Sequence, residues 1–127
     1  KSLLDRAGGR RRGAEQLHQF APILASLISS PAADVRRLAY RLVLRLVHHS
    51  PAHGRLVIDA YLACLASDET GVATSALEQV SDMAHFFDDY ADHFARRVFH
   101  LASRAPTQAV REVAMGQLHR LVGGSSQ

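Results

Sequence analysis

Imidazole and carboxylate side chains bunch in the middle of the chain, where His85, Asp88, Asp89 and His93 could supply a zinc site or an acid/base pair. Asp89 and His93 are one helical turn apart and share a face, while His85 and Asp88 would come from the end of the preceding helix. Their spacing fits no established zinc motif, and histidines in an arginine-rich helical chain are ordinarily surface or boundary residues. His48 and His49 precede Ser50-Pro51, where a helix C-terminus favours a cation without any ligand. Cys64 is the single thiol, and the sequence has no G-x-S-x-G and no glycine-rich phosphate loop. These residues imply no catalytic group, no metal, no cofactor and no small-molecule substrate.

The arginines offer a different chemistry. Arg37, Arg41 and Arg45 recur every fourth residue and so line one outward helix face; with Arg36 and the run Arg10 to Arg12 they form a basic patch able to bind phosphate or a protein partner. No aromatic residues interleave to stack bases, which leaves nucleic-acid binding as the alternative to a protein contact. Downstream the sign reverses. Asp82, Asp88, Asp89 and Asp92, with Glu78 before them, read as an acidic edge facing solvent or a partner.

These groups must be held by helices. The chain has 127 residues, 47% of them apolar and 21% charged, with no Trp and few other aromatics, while Ala, Leu and Arg outnumber Val, Ile and Thr. That bias favours helix over strand and points to an all-α protein. A lone Cys excludes an internal disulfide and suits an intracellular setting. No apolar run has the length of a membrane span, and the start KSLLDRAGGRRR has no signal-peptide core, so no membrane is implied. The net charge of +3 is too small to demand nucleic acid. The first residue is Lys rather than Met, as in a segment cut from a longer protein.

The chain repeats itself. DVRRLAYRLVLRLV from Asp34, GVATSALEQVSDMA from Gly71 and AVREVAMGQLHRLV from Ala109 align with steps of 37 and 38 residues between Val35, Val72 and Val110. Within each block Ala39, Ala76 and Ala114 stand four residues later, then Val43, Val80 and Leu118, then Leu46, Met83 and Leu121, all on one helical face. Upstream segments repeat too: Phe20, Val57 and Phe94; Leu24, Tyr61 and Val98; Leu27, Cys64 and Leu101; Ile28, Leu65 and Ala102. Each unit is thus a first helix (14–29, 53–66, 90–102), a turn, and a second helix (33–48, 71–86, 107–122). Asp34, Asp68 or Thr70, and Thr107 are placed to cap the second helices. Pro22 falls inside the first helix, where it should produce a kink.

Six helices in three hairpins therefore stack as a short right-handed α-solenoid over 14–122, in units of about 14–50, 51–87 and 88–122. A basic Gly/Arg-rich segment, 1–13, precedes it and a flexible tail, 123–127, follows. PILASLISSPAADVRRLAYRLVLRLV resembles a unit of the HEAT-repeat (armadillo-like) family, with Pro22 in the first helix, Pro31 in the turn, and Asp34-Val35-Arg36 opening the second. That resemblance implies a ladder between layers made by Asp34, Arg36 and Arg111. Unit two has Ala73 where the others have Arg36 and Arg111. The stretch SALEQVSDMAHFFDDYADHFARRVFHLA from Ser75 is similar to the helical repeats of the Integrator complex subunit 1 family. This second resemblance implies a non-catalytic scaffold in a nuclear RNA-processing assembly, with other protein subunits as partners. Without it, the location is cytoplasmic or nuclear.

Overall fold

Apolar residues at every third or fourth position, with prolines only near turns, make a chain that can close its hydrogen bonds only as successive amphipathic helices. The computed structural model describes residues 19–125. Unit one comprises α1 (Ala21–Leu27) and α2 (Ala33–His49). Unit two comprises α3 (Pro51–Gly54), a 3-10 turn at Arg55–Val57, α4 (Ile58–Leu65), α5 (Thr70–Glu78) and α6 (Val80–Phe86). A 3-10 turn at Asp88–Tyr90 then leads into unit three, α7 (Ala91–Arg104) and α8 (Gln108–Ser125). There is no strand among the described residues. The expected segment 1–13 lies outside them.

Four expectations change at this level. Phe20 is a turn residue and α1 begins afresh at Ala21, so Pro22 sits in the first turn, where a missing N–H leaves no bond unmade, instead of kinking a longer helix. The first helix of unit two is interrupted after Gly54. A Cβ there would meet Val47 Cγ2 at 2.5 Å and Phe87 Cζ at 3.3 Å, so the close approach of the backbone requires glycine. The second helix of unit two breaks at Gln79. Its Ala76 carbonyl accepts the Tyr61 hydroxyl at 2.7 Å and the Gln79 N–H at 3.1 Å, drawing the backbone out of α geometry. Finally, α8 runs through Gly123 and Gly124 to Ser125, past the start expected for a tail. None of the described glycines takes the positive φ that would end a helix.

No side-chain cap closes α2 or α5. Asp34 stands inside the first turn of α2, where its charge complements the helix dipole. Ser30 and Ser67, 37 residues apart, instead accept the N–H of Ala32 and Glu69 and shape the two turns alike.

The core lies between the first and second helices and between units. Tyr61 is its hinge: its ring meets Tyr40 of unit one and Phe94 of unit three edge-on, at 6.1 and 5.5 Å between centroids. Such pairs contribute about 0.5–1.5 kcal/mol each beyond burial. Most of the repeated apolar positions are buried, and the exceptions are ordered. Phe20, Leu27 and Val35 are exposed in unit one, as is Met115 in unit three, with Leu118 and Leu121 only partly covered there. Identical positions in unit two are buried because that unit has a neighbour on each side.

Candidate functional site

Arg36 begins as one letter of the RR pair in DVRR, yet the helix turns it inward while Arg37 faces solvent. Its guanidinium donates through Nη1 to the Ser30 carbonyl at 2.8 Å and through Nε to Ser75 Oγ at 2.9 Å. One side chain therefore fastens the turn of unit one to a helix of unit two. Gly71 makes room for it, since a Cβ there would stand 2.8 Å from Nη2. Arg111, the equivalent residue of unit three, reaches back across the same six residues to the Ala105 carbonyl at 2.6 Å. Unit two has Ala73 at this position. There Arg97, approaching from unit three, donates to the Leu65 carbonyl at 3.3 Å. Sequence reasoning passed over Arg97, whose signal is the missing arginine at position 73. Asp34 pairs with Arg37 at 3.2 Å, within its own helix and on the surface.

The remaining arginines of the first patch, Arg37, Arg41 and Arg45, lie together on the exposed face of α2. Buried Arg36 does not share that face, because helical geometry turns adjacent residues about 100° apart. The acidic residues disperse. Asp89 pairs with Arg55 at 2.9 Å, and the Arg55 guanidinium also lies over the rings of Phe87 and Tyr90. Asp92 pairs with Arg96 at 2.9 Å. Asp82 and Asp88 are exposed and make no ion pair among the described residues.

His85, Asp88, Asp89 and His93 are not gathered into a ligand set; among the described residues no group of three or more His, Cys, Asp or Glu is placed to hold a metal ion. His85 and His48 instead set their rings edge-on against Phe86. Cys64 is buried, and burial pushes its thiol up, against the opposing pull of the Tyr40 hydroxyl and Arg36. A thiol held in its neutral form is a poor nucleophile.

The clearest unfilled surface is the outer face of α8. Met115 is 55% exposed, whereas its equivalents Tyr40 and Leu77 are 1% and 0% exposed. Met115, Gly116 and Leu118, flanked by Glu112 and His119, border an open apolar trough of about 620 Å³. At the opposite end Phe20, Ile23, Leu27 and Leu38 are exposed. Among the described residues no helix is long and apolar enough to cross a membrane.

Residues 4–87 match the family model for the R4 domain of Integrator complex subunit 1. The human Integrator complex subunit 1 is 30% identical over 89 residues, 70% of this chain and 4% of that protein. The Drosophila melanogaster subunit is 28% identical over 71 residues, 54% of this chain and 4% of that protein. The chain thus spans only a small part of the length of these relatives. No solved structure matches it. The matched region overlaps the stretch from Ser75 only over 75–87, so units one and two carry most of the likeness. With two thirds of its length inside that domain, the chain belongs to the Integrator complex subunit 1 family.

Proposed function

We propose that the chain is a non-catalytic, HEAT-like interaction segment of a large subunit in a nuclear, RNA-processing assembly, docked by its ends to neighbouring protein. The exposure of Met115 beside the half-buried Leu118 carries this reading: the side that units one and two bury against the next unit is left open at Met115 on unit three. Burying apolar surface yields about 25 cal/mol per Å², so a helix seated in the trough would gain several kcal/mol before ordering costs. Kinship with a complex subunit supports protein partners. In this setting Arg36 fastens unit one to unit two, Arg111 fastens α8 to the turn of its own unit, and the acidic residues Asp82, Asp88, Asp89 and Asp92 stay on the polar surface.

The test is purification of the tagged chain from nuclear extract, with other Integrator subunits followed by mass spectrometry. Other subunits should copurify with the unaltered chain and be lost with Met115→Asp, which changes an exposed position, with circular dichroism showing that the variant stays helical. If no Integrator subunit accompanies the chain, or if it turns over a substrate through Cys64 or His85, the scaffold assignment is wrong.

A further inference from the structure

Where unit three stacks on unit two, a cleft of about 200 Å³ is bordered by Ser67, Asp68, Arg97, His100, Arg104 and Thr107. Arg97, His100 and Arg104 stand at i, i+3 and i+7 of α7, so all three lie on one face of that helix. Arg97 gives its Nε–H to the Leu65 carbonyl, which leaves both terminal nitrogens of its guanidinium free. The side chains of His100, Arg104 and Asp68 make no hydrogen bond or ion pair among the described residues. Packing does not require these basic groups. One unit earlier, 37 residues upstream, the same positions hold Ala60, Ala63 and Ser67. All three border the matching cleft between units one and two, about 310 Å³, and no cation among the described residues borders it. Two alanines and a serine thus suffice to stack one unit on the next. The helix dipole accounts for a cation at Arg104, in the last turn of α7, but not for Arg97 and His100 beside it.

We infer that this cleft binds a phosphoryl group carried on a side chain of a partner protein, a phosphoserine or phosphothreonine. Two guanidiniums, an imidazole and the hydroxyls of Ser67 and Thr107 border one small space. The Ser67 oxygen accepts the Glu69 N–H and so keeps its own proton to donate. Donors from several sides suit the three oxygens and higher charge of a phosphoryl group better than the two oxygens of a carboxylate. Asp68 opposes any anion, but one carboxylate is outnumbered by three basic groups. Nucleic acid fits less well, because the basic groups converge on one cleft instead of following a backbone, and no Phe, Tyr or Trp borders it to stack a base. Only the choice of a protein as carrier rests on the scaffold reading. The cleft lies at the junction of units two and three, so failure of phosphoryl binding there would leave docking at Met115 standing.

The probe is a short fluorescein-labelled Gly/Ala peptide with a central phosphoserine, read by fluorescence anisotropy against the full chain. Controls are the same peptide with serine or glutamate at the centre, a single-stranded RNA, and inorganic phosphate as competitor. The phosphopeptide should bind about tenfold more tightly than either control peptide. His100→Gln with Arg104→Glu, both at exposed positions, should remove that margin, and Arg104→Gln alone should lower it about threefold. Arg41→Glu with Arg45→Glu, which reverses two cations on another exposed face, should leave it intact. Asp68→Asn should widen it about threefold, since a repelling carboxylate is removed. Circular dichroism of each variant separates a lost site from a lost fold. The inference is overturned if the serine or glutamate peptide binds as tightly as the phosphopeptide, if RNA or inorganic phosphate does so, or if a helical His100→Gln, Arg104→Glu variant keeps the margin.

Discussion

Replacing Arg36 with Ala tests whether one buried guanidinium joins units one and two. Two charge-assisted hydrogen bonds are lost, at 2.8 Å to the Ser30 carbonyl and 2.9 Å to Ser75 Oγ. Each bond to a charged group is worth about 1.5–3 kcal/mol, and re-entry of water at this partly covered joint offsets some of it, leaving a loss of about 2–4 kcal/mol. Against a typical total of about 5–15 kcal/mol that is a large fraction, and it lowers the melting temperature by about 10 °C for a chain of this size. Urea denaturation with constant m-value gives the free energy directly. Arg111→Ala removes one turn bond and should cost about 1 kcal/mol; exposed Arg41→Ala should cost under about 0.5 kcal/mol. A double-mutant cycle of Arg36→Ala with Ser75→Ala should show coupling of about 1 kcal/mol. Gly71→Ala should be unfavourable beside Arg36, where the new Cβ meets Nη2 at 2.8 Å, and favourable in the Arg36→Ala background, where only helix propensity remains. If Arg36→Ala melts within about 0.5 kcal/mol of Arg41→Ala, the joint is not made by this residue.

Two buried tyrosines should respond with opposite signs. Tyr61→Phe leaves the Ala76 carbonyl without its 2.7 Å donor and should cost about 1–2 kcal/mol in a denaturant melt, whereas Tyr40→Phe removes a hydroxyl with no oxygen or nitrogen partner and should be neutral or stabilising by up to about 1 kcal/mol. Both phenols are held above their ordinary value, first by burial and then by the Cys64 thiol, so alkali acts on the unfolded chain. Above about pH 10 the unfolded state releases these protons and the folded state keeps them. Stability then falls with a slope of about 2.7 kcal/mol per pH unit for the pair, and each Phe variant should remove about half of it in melts between pH 9.5 and 11.5.

The repeat was legible because it is written in side-chain size at fixed intervals: Ala39, Ala76 and Ala114 are small and buried, and Val43 and Val80 fill the same place in successive units. Periodicity does not say where a helix must break. The break at Gln79 goes with the Tyr61 hydroxyl bound to the Ala76 carbonyl, 15 residues away, and the need for glycine at position 54 is set by Val47 and Phe87. Charge was readable as composition but not as placement. The run Arg36-Arg37 looks like one patch, and only packing divides it into a buried fastener and an exposed cation. The four residues His85, Asp88, Asp89 and His93 failed to converge because the Asp88–Tyr90 turn and the ion pair from Asp89 to Arg55 direct them apart.

By itself the sequence determined an all-helical chain of three hairpins, since hydrophobic spacing near 3.6 residues and the 37-residue step are local or nearly local properties. Tertiary structure decided which equivalent residues are covered. Tyr40, Leu77 and Met115 share one repeat position, and the first two are buried only because another unit follows them in space. It also decided that Arg97 of unit three donates to the Leu65 carbonyl of unit two, residues 32 apart in the chain. Burial and charge neighbourhood are properties of surfaces brought together by packing, and no interval along the sequence specifies them.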